Sequence, residues 1–88
     1  MAVNLTIAAV SGPVGPYPME NGLVGEDVTV TGAASANDDT GTYTTKYVKQ
    51  PLRFMGPFSY SFSGQVMTLT DKQGIGSTVQ AGTIVGYP

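Results

Sequence analysis

The stretch Leu52-Arg53-Phe54-Met55-Gly56-Pro57-Phe58-Ser59-Tyr60-Ser61-Phe62-Ser63 decides the fold class of this chain. Large apolar or aromatic residues recur at nearly every second position, which is the repeat of an extended strand with one buried face. The period predicts a core-facing row made of Leu52, Phe54, Phe58, Tyr60 and Phe62. The dipeptide Gly56-Pro57 interrupts this row, so we expect the strand to bend, to lie at a sheet edge or to split in two there.

The same alternation recurs along the chain in short segments separated by turn-forming residues. Further strands are predicted at residues 2–10, 26–34, 42–50, 66–70 and 78–85. The turn after residue 50 is too short for a helix, so strands 42–50 and 52–63 are expected to pair antiparallel. No apolar repeat of 3.6 residues is long enough to predict a helix. The sequence therefore predicts a single all-β domain over residues 1–88, a small antiparallel β-sandwich or β-barrel of six to seven short strands with little or no helix.

Residues 11–25 break the alternating pattern, because they contain three prolines and four glycines. A segment of this length without regular structure is commonly functional or disordered. Aromatic residues and methionine are also enriched in protein interfaces. We therefore expect the segment either to form an intermolecular arm or to fold back over its own sheet as a lid. The candidate partner-contact residues are Pro16, Tyr17, Pro18, Met19 and, near the C-terminus, Tyr87.

The chain is small and carries few charges. Only 11% of its 88 residues are charged, against roughly 25% in a typical soluble domain. Small domains usually need a disulfide, a metal or oligomerisation in addition to their core, and this chain has no Cys and no His. These features favour a surface that faces other protein molecules. The alternative is an extracellular domain rich in Thr, Ser and Gly, whose hydroxyl groups supply the surface polarity.

The composition also limits the chemistry that the chain can perform. Without His and Cys, neither a Ser-His nor a Cys-His nucleophile pair can form, and the commonest metal ligand is missing. Glu26 and Asp27 are adjacent in a predicted strand, so their carboxylates face opposite sides and cannot act on one substrate. The run Asn37–Asp39 supplies too few oxygens for Ca²⁺ and is expected to be a solvated turn. We predict no enzymatic activity, no cofactor and no metal site.

Charge and hydropathy narrow the range of partners. The formal net charge of −2 argues against nucleic acid. No apolar run approaches the ~20 residues that a membrane-spanning helix needs. Five acidic residues precede the basic cluster Lys46, Lys49 and Arg53, and such groups either align copies of the chain or pair within one fold. The start of the sequence shows no basic n-region of a secretory signal. The expected partner is protein, either further copies of this chain or other subunits of an assembly.

In general style, the chain resembles the small capsid decoration, or cement, proteins of tailed phages. The resemblance lies in the start Val3-Asn4-Leu5-Thr6-Ile7, the Pro/Gly segment 11–25, the Thr-, Gly- and Val-rich strands and the lack of Cys, His and Trp. It implies a non-enzymatic β-protein that stabilises a virion shell by binding between its subunits, assembled in the host cytoplasm. The alternative is a small carbohydrate- or ligand-binding β-module that presents Tyr17, Tyr43 or Tyr47 to its ligand.

Overall fold

The computed structural model describes residues 2–10 and 17–88 of the chain. The strands in these residues are β1 (Leu5–Ala9), β2 (Tyr17–Pro18), β3 (Val24–Gly32), β4 (Thr40–Thr44), β5 (Gln50–Met55), β6 (Ser59–Ser63), β7 (Val66–Thr70) and β8 (Val79–Tyr87). Within the same residues, helical structure is limited to one 3-10 turn at Glu20–Gly22. The chain is therefore nearly all β, which confirms the fold class that the alternating pattern predicts.

The strands form two antiparallel sheets that pack as a small sandwich. The larger sheet has the order β1-β3-β8-β5, and the two-residue β2 pairs with the beginning of β3. The smaller sheet has the order β4-β7-β6. The loops after β4 and after β7 each carry the chain from the smaller sheet to the larger one. On one flank of the sandwich β1 lies beside β4, and on the other flank β5 lies beside β6.

The core lies between the two sheets, where apolar side chains from both inner faces meet. Its members are Leu5, Ile7, Val28, Val30, Val48, Phe54, Phe58, Met67, Leu69 and Ile84. Strand β7 follows its sequence pattern most closely, because Met67 and Leu69 are completely buried while Thr68 and Thr70 lie on the outer face. The turn between β6 and β7 contains Gly64 with a φ of 60°, which glycine adopts without steric cost.

The prediction of one strand over residues 42–50 is wrong. Strand β4 ends at Thr44, a loop follows, and β5 begins at Gln50 and runs through Pro51. The predicted pairing of this region with the next strand is also wrong, because β4 pairs with β7 and β5 pairs with β8. Thr45 and Val48 are buried in this loop without belonging to a strand, and their spacing does not fit one buried face of a strand.

The interruption at Gly56-Pro57 splits the predicted strand in two, and the halves lie in different sheets. Of the predicted core row, Phe54 and Phe58 are buried and Phe62 is half-buried. The prediction is wrong for Leu52 and Tyr60, which are 52% and 44% exposed. Leu52 lies where the register of β5 shifts, and Tyr60 lies on an edge strand. Edge position and irregular register expose side chains that the alternation alone assigns to the core.

Candidate functional site

The structure places the described candidate contact residues at one end of the larger sheet. Pro16 lies outside the described residues. Tyr17 and Pro18 form β2, Pro18 pairs with Val24, and Val24 pairs in turn with Gly86, the neighbour of Tyr87. Strand β3 therefore lies between β2 and the end of β8. Neighbouring strands are about 4.8 Å apart. Met19 is half-buried and Tyr87 is 41% exposed. That these residues contact a partner stays a prediction.

A second surface is the flank formed by β5 and β6, which we call the open side. Each of these strands lies at the edge of its sheet, and neither has a second hydrogen-bonded neighbour among the described residues. Three large apolar side chains are exposed here: Leu52 (52%), Met55 (52%) and Tyr60 (44%). Apolar residues clustered beside unpaired strand edges mark a surface suited to contact with another protein chain.

The gap between the two sheets on the open side is closed by aromatic rings. The ring centroid of Phe54 lies 6.4 Å from that of Phe58 and 6.5 Å from that of Tyr60, and the Tyr60 and Phe62 centroids are 5.5 Å apart. The rings are tilted or edge-on, as aromatic pairs prefer. The aromatic cluster that the sequence assigns entirely to the core therefore extends from the core to the surface of the open side.

The outer face of the smaller sheet carries hydroxyl groups almost exclusively. Cross-strand register aligns its side chains in three rows: Thr40-Thr70-Ser59, Thr42-Thr68-Ser61 and Thr44-Val66-Ser63. No charged side chain interrupts this face, and we call it the hydroxyl face. The hydroxyl face makes this part of the surface polar without charged groups, as expected for a chain with so few ionisable side chains.

Glu26 is the centre of a buried hydrogen-bond network that sequence reasoning did not find. Its carboxylate accepts hydrogen bonds from the Tyr43 hydroxyl and from the backbone N–H groups of Lys46, Tyr47 and Val48. Burial acts to raise the pKa of Glu26, but these donors outweigh it and lower the pKa below 4.5. Burial, together with the hydrogen bond to Glu26, raises the pKa of Tyr43. The Tyr43 hydroxyl is therefore bound within the fold, and its ring is half-buried.

Two further carboxylates, those of Asp71 and Asp39, accept hydrogen bonds at the opposite end of the sandwich. Asp71 is completely buried, and it accepts hydrogen bonds from the Ser35 hydroxyl at 2.7 Å and from three backbone N–H groups of residues 73–75. Asp39 accepts hydrogen bonds from the backbone N–H groups of Ala2 and Ala36 and from the Asn4 amide. The expectation that Asn37–Asp39 is a solvated turn is wrong for Asp39, because its carboxylate binds the start of the chain.

A shallow concavity of about 430 Å³ lies on the outer face of the larger sheet. Its lining residues are Val10, Asp27, Val28, Met55, Ala81, Gly82 and Thr83. The Thr83 hydroxyl donates to the Asp27 carboxylate at 2.7 Å. The adjacent residues Glu26 and Asp27 thus lie on opposite faces of β3, as predicted. The volume of the concavity, and its combination of polar and apolar lining residues, are typical of sites that bind small ligands.

Within residues 2–10 and 17–88, no group of three or more His, Cys, Asp or Glu side chains is arranged to hold a metal ion. The same part of the chain contains no helix that is both long enough and apolar enough to cross a membrane. Comparisons with protein-family models, with curated proteins and with solved structures found no match to this chain. Its function must therefore be argued from its own surfaces.

Proposed function

We propose that this chain is a non-enzymatic assembly protein that acts through contacts with other protein molecules along its open side. The observation that carries the proposal is the position of Leu52, Met55 and Tyr60, each more than 40% exposed, beside two unpaired strand edges. Exposed apolar area and unpaired backbone groups both favour association, so contact with another chain would stabilise this surface.

The finer assignment that we propose is a decoration protein of a phage capsid, which strengthens the shell by binding between its subunits. It is supported by the resemblance in sequence style and by an all-β fold whose hydroxyl face carries no charged side chain. The genes beside the coding sequence test this assignment. Capsid or tail genes on either side are expected, whereas an operon for metabolism or secretion would contradict it.

The assembly role is tested by placing a charge on the open side. We expect Leu52→Asp to lower the solution mass measured by light scattering at micromolar concentration, because the carboxylate must be desolvated in any contact made there. Val79→Asp is the matched control, since Val79 is also an exposed aliphatic residue of the larger sheet, at 63%, but lies outside the open side. Equal masses for both variants and the unaltered chain would contradict the proposal.

A second candidate function is small-ligand binding in the concavity beside Asp27. It is favoured by the size of the concavity and by its combination of a carboxylate with apolar walls from Val10 and Met55. The two functions separate in one NMR titration with neutral mono- and disaccharides. Shifts confined to the amides of residues 81–83, in a protein that stays monomeric, would favour ligand binding over assembly.

A further inference from the structure

The edge of strand β6 has no charge, no proline and no bulge, three features that normally prevent pairing with another strand. Its sequence Ser59-Tyr60-Ser61-Phe62-Ser63 contains no charge and no proline. Its register with β7 is continuous from Ser59 opposite Thr70 to Ser63 opposite Val66, so no bulge twists the edge away. Natural proteins usually protect an edge strand by at least one of these devices. The outer backbone groups of β6 are therefore ready to accept another strand.

Two other edges of the sandwich carry some protection. Strand β5 carries Pro51, a shift in register after it and the charged Arg53. The beginning of β4 is covered by the start of the chain, because the N–H of Thr40 donates to the carbonyl oxygen of Ala2 at 2.8 Å. Val3 forms a parallel bridge with the same residue, Thr40. Of the two edges on the open side, β5 is protected and β6 is not, which points to β6 as the pairing strand there.

The sequence of β6 is symmetric in chemical character about Ser61. If two copies of β6 pair antiparallel around a two-fold axis at Ser61, Ser59 faces Ser63, Tyr60 faces Phe62, and Ser61 faces its own counterpart. The serines then extend the hydroxyl face, and the aromatic residues meet on the other face. Every cross-strand pair is like with like in size and polarity. Self-complementarity of this kind is what a two-fold interface requires.

From this edge and its symmetry we infer that the partner on the open side is a second copy of this chain. The two smaller sheets join through β6 into one continuous sheet with the order β4-β7-β6-β6-β7-β4. Backbone hydrogen bonds supply the pairing, and the half-exposed Tyr60 gains an aromatic neighbour in Phe62 of the other copy. The contact is small, so we expect dissociation in the micromolar range. The inference rests on the proposed function and names its partner.

Cysteine cross-linking tests the register directly, because the chain has no Cys of its own. At the two-fold axis the two Ser61 Cα atoms lie about 4.5–5.5 Å apart, which is within the range that a disulfide spans. We expect Ser61→Cys to form a covalent dimer under mild oxidation. Thr42→Cys, in the same row of the hydroxyl face but on the opposite edge strand, is the control and is expected to stay largely uncross-linked.

Charge complementation provides a second test that a merely structural role would not pass. Ser61→Lys places two ammonium groups opposite each other, and we expect it to weaken self-association by roughly tenfold or more. Ser61→Glu is expected to do the same, and an equimolar mixture of the two variants is expected to restore the dimer. Thr42→Lys should associate like the unaltered chain.

The outcomes separate the inference from the proposed function. If the unaltered chain associates but Ser61→Lys does not weaken it and Ser61→Cys does not cross-link, β6 pairing is wrong and assembly through other residues of the open side remains. If the unaltered chain stays monomeric at every concentration and Ser61→Cys does not cross-link, this inference and the assembly of copies both fail.

Discussion

The hydrogen bonds of Glu26 connect separate parts of the chain, as a disulfide does in other small domains. Its carboxylate lies on a strand of the larger sheet and binds the loop that leaves the smaller sheet, so it joins the two layers at one end. Every buried side-chain nitrogen or oxygen in the described residues has a hydrogen-bond partner. A buried carboxylate with this many donors is stabilising only while all of them are present, because each lost donor leaves charge without compensation.

Asp71 gives the fold a predictable dependence on pH. Burial alone acts to raise its pKa, but the hydrogen bonds from Ser35 and from the N–H groups of residues 73–75 lower the pKa from 3.8 to about 2. The unfolded chain therefore binds its proton at a higher pH than the folded chain. The stability from this group is complete above the unfolded pKa and is lost as the pH falls toward about 2. We expect the free energy of unfolding, measured in urea, to decrease below about pH 5.

Replacing the carboxylate tests this assignment. We expect Asp71→Asn to lower the free energy of unfolding at neutral pH by about 2–3 kcal/mol, because the amide cannot accept all of the hydrogen bonds. We also expect the remaining decrease toward pH 2 to be smaller than in the unaltered chain. Asp38→Asn is the control, since the Asp38 carboxylate forms an exposed ion pair with Lys72, and it should change the value by less than about 1 kcal/mol. A pH dependence unchanged by Asp71→Asn would contradict the account.

The sequence predicts the orientation of these carboxylates correctly only where the geometry of a single strand determines it. Adjacent residues of a strand face opposite sides, which is why Glu26 and Asp27 separate as predicted. Nothing local indicates that Glu26 faces inward, because its donors come from residues 43–48, about twenty positions away. Asp39 was missed for the same reason, since its partners Ala2 and Asn4 belong to the start of the chain.

At the scale of elements, Phe54 shows how β5 is fitted against β8. A Cβ atom added at Gly82 would lie 2.2 Å from Cζ of Phe54, and one added at Gly56 would lie 2.5 Å from Cε2 of the same ring. The ring is thus packed against two glycines, one on the neighbouring strand and one just past the end of its own strand. Glycine at position 82 allows the aromatic cluster of the open side to approach the larger sheet.

We expect Gly82→Ala to destabilise the fold by about 1–3 kcal/mol in urea unfolding, because the buried Phe54 ring must move. Combining it with Phe54→Leu should reduce the additional cost of the alanine, since the shorter side chain leaves room for the methyl group. If Gly82→Ala costs less than about 0.5 kcal/mol in the unaltered background, the packing described for β5 and β8 is wrong.

The bounds of β7 were predictable from the sequence, and the end of β4 was not. The bounds of β7 follow from the alternation of Met67 and Leu69 with threonines and from the adjacent Gly64 turn. The end of β4 does not follow from any local pattern, because the loop after Thr44 leaves the sheet to reach Glu26. The alternating pattern of residues 42–50 therefore predicts one strand where the structure has a strand and a loop.

The buried carboxylates give the whole molecule internal connections that its composition does not predict. A small chain without Cys or His was expected to gain stability from its neighbours, but Glu26, Asp39 and Asp71 already join loops and sheets within one copy. The case for assembly therefore depends on the geometry of the open side and not on a shortage of internal connections.

Burial of these carboxylates also changes the accessible charge. Of six acidic residues, three are buried, while all four Lys and Arg residues are exposed. The three remaining acids nearly balance the four bases, so the surface is close to neutral although the chain has a net charge of −2. The acidic residues that precede Lys46 in the sequence thus do not form one exposed patch that aligns copies, and weak long-range repulsion between copies is expected.

Backbone amide hydrogen exchange, compared between dilute and concentrated solutions, reports whether the open side becomes covered by another chain. We expect residues 50–63 to exchange more slowly at high concentration, with the largest change in β6, because the open side becomes covered and its edge amides become hydrogen-bonded. The backbone amides of β4 should show no change in exchange rate. Exchange that does not depend on concentration, or protection confined to surfaces other than β5 and β6, would contradict assembly through the open side.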